Sequence, residues 1–235
     1  MSMDGKTIVI AGGSSGMGLA LARKLQGSRL HLIGRNEQKL RAAQTVLGGD
    51  VVIHAADIGD EAQVAALAAS IGPIDHLVTT TADLSFKPLL ELDRDEIARM
   101  LGSKLLGPVH LVRHLAPSMS KQGSITFFSG AAAYKAIPGA SMVAAANAAL
   151  DGLTRTLALE LAPIRVNVVS PGVVDSPTWD FLPAFDRSST LAAMGSALPV
   201  GRVGNVDELA DTALFFMSNG FATGAVLQLD GGANA

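Results

Sequence analysis

Residues 8–25 read IVIAGGSSGMGLALARKL. A β-branched apolar run leads into Gly12, Gly13, Gly16 and Gly18, and a helix-forming segment follows at once. Glycines in this setting let the backbone turn tightly and approach a pyrophosphate, while the first free N–H groups of the helix and its dipole receive negative charge. An ordinary strand-to-helix turn would also be glycine-rich, but a strand before the loop and a helix after it favour phosphate binding. The expected contacts in the loop are Gly12, Ser14, Ser15, Gly16, Met17 and Gly18.

Outward from this loop, short apolar runs bounded by Gly, Asp or Ser recur as KTIVIAGG, RLHLIGR, DVVIHAAD, DHLVTTT, GSITFFSG, IRVNVVSPG and AVLQLDGG, which makes seven predicted strands. Segments between them carry apolar residues at helical spacing, for instance Leu150, Leu153, Leu157 and Leu161. Alternation of strand and helix predicts an α/β fold, a doubly wound, Rossmann-type parallel sheet with helices on both faces, because each parallel crossover needs a helix-length connection. We expect one domain over residues 1–235, with Pro177 to Pro199 as a long, weakly periodic segment that closes over substrate. In it, Trp179, Phe181, Leu182 and Phe185 read either as a cover for an apolar ligand or as core.

The 18 basic and 21 acidic residues leave a net charge of −3, with no broad cationic surface for a nucleic acid backbone, so a small-molecule partner is expected. The absence of cysteine excludes disulfides and thiolate metal sites. No leader pattern and no apolar run of about 20 residues is present, so a cytoplasmic protein without a membrane span is expected.

The second strand ends LIGRN, without the carboxylate that usually holds a free adenosine ribose; Gly34 is at its tip and Arg35 follows. Arg35 can bind a ribose phosphate through paired, charge-assisted hydrogen bonds, with Ser14 adding a hydroxyl, which favours NADP(H). As a bland alternative, Arg35 is a solvated loop arginine. Asp57, beside Ile58 at the end of the third strand, reads as an acceptor for an adenine amino group or as a helix cap. Thr80 follows the fourth strand on the same side.

The chain resembles the short-chain dehydrogenase/reductase family over nearly its whole length. AGGSSGMG is similar to that family's TGxxxGxG loop, LTRTLALELAPIRVNVVSPGVVDS to its fifth helix, sixth strand and PG turn, and LQLDGG to its last strand. The resemblance implies a seven-stranded sheet, a nicotinamide cofactor, and Pro171, Gly172, Val174 and Ser176 on the nicotinamide side. It also implies a homodimer or homotetramer built through helices near residues 103–119 and 147–162.

The family's proton chemistry uses a tyrosine, a lysine, a serine and an asparagine, and here the corresponding positions are Val143, Asn147, Gly130 and Lys104. The asparagine and lysine have thus exchanged helices. We expect Lys104 to reach the nicotinamide ribose or a substrate oxygen, Asn147 to bond the ribose hydroxyls, and Tyr134 or Ser129 to supply a hydroxyl. Each has a bland rival: a surface lysine, a loop tyrosine, a serine satisfied by backbone. Losing a positioned general acid costs about 10² to 10⁴ in rate. The sequence therefore supports an NADP(H)-dependent oxidoreductase with a rearranged site acting on a small, apolar, carbonyl-like electrophile. Two alternatives stay open: a nucleotide-binding protein without catalysis, serving as sensor or regulatory subunit, and a non-redox enzyme. His110 and His114 share a helix spacing that can clasp a metal, but no third ligand is in view and no metal is expected. Asp230 reads as a turn residue.

Overall fold

The computed structural model describes residues 3–235. Strand and helix alternate through β1 (Thr7–Ala11), α1 (Gly16–Lys24), β2 (Arg29–Gly34), α2 (Glu37–Leu47), β3 (Val51–Ala55), α3 (Glu61–Ile71) and β4 (Ile74–Thr79). There follow α4 (Arg94–Leu101), a π-helical turn (Gly102–Leu106), α5 (Gly107–Leu115), β5 (Met119–Phe128), α6 (Ser141–Glu160) and β6 (Arg165–Pro171). The chain ends through β7 (Val174–Asp175), α7 (Ala184–Ser196), β8 (Gly204–Asn205), α8 (Val206–Ser218) and β9 (Val226–Leu229). All seven predicted strands form one parallel sheet in the order β3-β2-β1-β4-β5-β6-β9, with β7 and β8 as a separate short pair.

Both sheet faces are covered, as the two-sided apolar strands require. Along β1, Ile8 and Ile10 join a core with Leu21 of α1, Leu25 at its C-terminal cap, Leu40 of α2 and Phe216 of α8. Val9 and Ala11 face the other way, into a core with Val64 of α3, Leu111 and Leu115 of α5 and Leu150 of α6. Helices α2, α3, α4 and α8 are closed at their N-termini by the side chains of Asn36, Asp60, Asp93 and Asn205. Strand order reverses between β1 and β4, so a crevice opens beyond their carboxyl ends, where α/β sheets take ligands.

The segment expected to be a long loop contains a 13-residue helix, α7, which sequence periodicity hid because its buried contacts are only Leu191 and Gly195. Trp179 donates from its indole to the Val174 carbonyl, while Phe181 and Phe185 stand 72% and 82% exposed and are not core.

Two buried histidines are expected to make the fold acid-sensitive. His31 Nδ1 lies 2.9 Å from His54 Nε2, and His76 Nδ1 lies 2.8 Å from Ser124 Oγ. Burial, the largest cause, pushes His31 and His76 down to about 4. The unfolded chain therefore takes up protons first, and stability is lost as pH falls from about 6.5 through about 4. Each histidine contributes a slope of up to about 1.4 kcal/mol per pH unit in that window. Urea midpoints measured between pH 7.5 and 4.5 are expected to drop steeply, and His76→Gln to flatten the drop; equal slopes in the two proteins would contradict this.

Candidate active site

At the switch point the glycine loop is fixed by close packing. Gly12 adopts φ +86° with its amide 2.8 Å from the Ile33 carbonyl, and a Cβ there would meet Thr80 Oγ1 at 2.5 Å. A Cβ on Gly18 would lie 2.4 Å from the Gly12 carbonyl oxygen. Gly16, at φ +52°, meets only Pro177, at 3.4 Å, so its open side faces the crevice. Ser15 occupies the cap position of α1 in extended backbone and makes no side-chain cap bond. The first-turn N–H groups of α1 are thus left to a ligand, and this cradle of glycines and free donors fits a dinucleotide pyrophosphate.

Several expected cofactor contacts have other duties. The Thr80 hydroxyl donates to the carbonyls of Ala11 and Gly12, at 3.1 and 3.3 Å, and buttresses the loop from behind. Met17 packs partly against the core beneath α1. Ile58 turns its side chain into the core, where a Cβ on Gly107 would meet it at 2.4 Å. Asp57 closes a turn by accepting from the Gly59 amide at 2.9 Å, and the cap of α3 is Asp60, which corrects the capping alternative. Gly172 is a glycine because a Cβ would strike Asp230 at 2.6 Å. Val174 is core and Ser176 is buried, its carbonyl held by Arg187. Pro171 ends β6 beside β9. Arg35 is an ion-pair partner of Asp83 at 2.8 Å, not a free loop arginine.

The chemistry-bearing residues converge at the end of β5. Lys104 sits on the π-helical turn between α4 and α5, a local irregularity that often marks functional sites. Its side chain is 6% exposed and Nζ donates to the Ser129 carbonyl at 3.1 Å, so the surface-lysine reading is overturned. Burial pushes the Lys104 ammonium down to about 8, against the pull of the Asp151 carboxylate. The Ser129 hydroxyl is buried without a hydrogen-bond partner among the described residues, and backbone does not satisfy it. Asn147 is likewise buried with Oδ1 unpartnered, and its Nδ2 would lie 2.8 Å from a Cβ on Gly130. A serine at position 130 would therefore require the Asn147 amide to shift. Tyr134 is 42% exposed and donates its hydroxyl to Asp151 Oδ2, so it does not present a free phenol to the crevice; burial, then that carboxylate, raise it above the usual phenol range.

Sequence reasoning missed Asp151, a buried carboxylate one helical turn after Asn147 whose Oδ1 has no partner among the described residues. Its signal was available: an acid at an apolar-period position of α6. Val143, at the tyrosine position, packs with Met100 and Ala140 in a small apolar cluster. His110 bonds the Ile58 carbonyl and His114 bonds Glu61, a residue of α3 also paired to Arg113. Asp230 forms the expected turn, accepting from Gly232 and Asn234.

A sequence profile described as "Enoyl-(Acyl carrier protein) reductase" matches residues 11–234. A short-chain dehydrogenase/reductase, ATR9, from Stachybotrys chlorohalonatus is 32% identical over 99% of this chain and 98% of its own length. A 3-oxoacyl-[acyl-carrier-protein] reductase of Bos taurus is 31% identical over 97% of each chain. Among solved structures, a small-chain dehydrogenase in complex with NADPH superposes with a TM-score of 0.84 at 32% identity, over 98% of this chain and 99% of that one. Similarity of this kind over the full length means that the chain belongs to the short-chain dehydrogenase/reductase family of oxidoreductases.

Proposed function

We propose that the protein is an NADP(H)-dependent oxidoreductase that reduces a small, apolar, carbonyl-like substrate, with Lys104 in place of the missing tyrosine. The observation that carries this reading is the burial of a lysine at the end of β5 amid three unpartnered polar atoms, Ser129 Oγ, Asn147 Oδ1 and Asp151 Oδ1. Buried polar groups are retained with partners, and orphans gathered at one place point to groups that a ligand completes. The nicotinamide, when bound, supplies a hydride to the electrophilic carbon.

The chain's own residues do the rest. Gly16, Met17 and Gly18 offer backbone N–H groups to the pyrophosphate, and Arg35 and Ser14 lie at the adenosine end. An ammonium has three donors, and the Ser129 carbonyl takes one, leaving two for a ribose hydroxyl and the substrate oxygen. Lys104 gives up the proton that the oxygen takes; Asp151 supports the charged form and Asn147 orients the hydroxyls. Phe181 and Phe185, exposed on the segment 177–199, form the apolar cover over the substrate. A second copy docks through the π-helical turn with α5, where Leu106 is exposed, and through α6, where Leu159 is exposed.

The family resemblance and the NADPH complex of the structural relative support the cofactor. No helix among the described residues is long and apolar enough to cross a membrane. A second reading, nucleotide binding without catalysis, is favoured by the apolar packing of Val143 where the tyrosine is expected.

A screen of carbonyls, enones and imines for NADPH oxidation separates the two. Turnover of an apolar member is expected, constant at low pH and falling as the ammonium is lost above about pH 8, with Lys104→Arg moving that alkaline limb upward. Saturable NADPH binding with no turnover across the panel would establish the second reading.

A further inference from the structure

The loop after β5 runs in step with α6. At its start a Cβ on Gly130 would meet Asn147 Nδ2 at 2.8 Å; four residues further along each segment, Tyr134 donates its hydroxyl to Asp151 Oδ2. The helical turn Ala131–Ala133 carries the chain between the two contacts. Lys104 Nζ enters at the same end as Asn147, donating to the carbonyl of Ser129, the neighbour of Gly130. A line of polar groups therefore leads from Lys104 past Asn147 to Asp151 and out to Tyr134. Lys104, Asn147 and Asp151 are buried, whereas Tyr134 is 42% exposed, so of the four only the tyrosine meets bulk water.

Each turnover of the reaction proposed above takes one proton from the Lys104 ammonium and leaves a neutral amine. The amine must regain that proton before the next cycle, and its burial keeps bulk water away from it. Asp151 is placed to deliver it. Its Oδ2 accepts from the Tyr134 hydroxyl, its Oδ1 is buried with no partner among the described residues, and its charge acts on Lys104. Ordered water sits where buried polar atoms are otherwise unsatisfied, and Asp151 Oδ1 and Asn147 Oδ1, one helical turn apart on α6, offer such a water two acceptors. We propose that Tyr134 and Asp151 form a proton-resupply path that recharges Lys104 from the surface between turnovers. This rests on the reading of Lys104 as the proton donor. Neither residue touches the substrate; both act through the lysine. The Tyr134 hydroxyl passes its proton to the Asp151 carboxylate as its oxygen takes one from bulk water, and the carboxylic acid so formed releases a proton, through an ordered water, to the amine. One proton enters, one arrives at Nζ, and no electrons move. Burial, then the adjacent carboxylate, hold the phenol above its ordinary range, so it hands a proton on only while taking one up.

The test follows the Lys104 ammonium itself, through ¹⁵N-resolved NMR of its proton exchange with water in the full chain at mildly acidic pH, which needs neither substrate nor cofactor. Lys104→Arg, which removes the signal, assigns it. Tyr134→Phe keeps the ring over Asp151 and removes the hydroxyl, and it is expected to slow the exchange about tenfold. Tyr134→Ala removes the ring as well, opens Asp151 to water, and is expected to restore the exchange. A hydroxyl that only ties the loop to α6 is cut equally by both changes. With a carbonyl compound reduced in the screen, steady turnover of Tyr134→Phe is expected to fall about tenfold, while the first turnover, whose proton is already on the lysine, stays within about twofold of the parent. Exchange unchanged in Tyr134→Phe, exchange altered alike in the phenylalanine and alanine variants, or equal loss in first and later turnovers would overturn the path and leave Lys104 as the donor. Turnover that survives Lys104→Met would overturn the donor, and the path with it.

Discussion

Gly18→Ala is expected to lower the melting temperature by roughly 2–12 °C and to weaken NADPH binding at least tenfold. The added methyl would lie 2.4 Å from the Gly12 carbonyl oxygen and 2.7 Å from Thr80 Oγ1. The carbonyl is backbone and cannot rotate away, and the threonine hydroxyl is committed to that same carbonyl and to Ala11. The loop must move as a whole. Overpacking of this kind costs about 1–3 kcal/mol, and each kcal/mol shifts the melting temperature of a chain this size by about 2–4 °C. Binding suffers because the displaced atoms carry the donors at the start of α1, and hydrogen bonds weaken steeply with distance and angle. Gly152→Ala is the control, since nothing lies within 4 Å of its Cβ position on α6. There alanine is expected to gain up to about 1 kcal/mol through helix propensity. Calorimetric melting and nucleotide titration of both variants check the pair; a neutral Gly18→Ala would mean that the loop is not packed as described.

Lys104→Met is expected to reduce turnover of any substrate found by about 10² to 10⁴ and to weaken NADPH binding by roughly tenfold through the lost bond to the nicotinamide ribose. The same change takes a nearby positive charge away from the buried Asp151 carboxylate, which keeps the Tyr134 hydroxyl as its donor, and is expected to lower stability. The double variant Lys104→Met/Asp151→Asn removes that unbalanced charge. It should recover most of the stability and none of the turnover, which separates a chemical role for the lysine from a structural one. Turnover within threefold of the parent in the single variant would remove Lys104 from the mechanism.

The parts of this molecule that were legible in its sequence are those whose causes are local. Each of the seven strands is an apolar run of a few residues, and the glycine loop shows as four glycines within seven positions between one strand and one helix. The burial of Lys104 was legible only as a possibility, since it depends on a π-helical turn pressed onto Ile58 and Gly59 from the β3 side. That Thr80 also supports the loop was not legible, because its partners lie about 69 residues earlier. Asp83 and Arg99 drew no notice because neither belongs to a motif; only the fold brings them to Arg35. The α7 helix was hidden by a weak apolar stripe, and the close approach of the Asn147 amide to Gly130 by a contact that no spacing encodes.

The most direct test of the whole account is a crystal structure of the chain with NADP⁺. The account predicts the pyrophosphate on the N–H groups of Gly16 to Gly18, with Lys104 Nζ at about 3 Å from a nicotinamide ribose hydroxyl or from the group in the substrate position. A dinucleotide bound elsewhere, or a nicotinamide ring out of reach of Lys104 while its Nζ keeps only the Ser129 carbonyl, would contradict it.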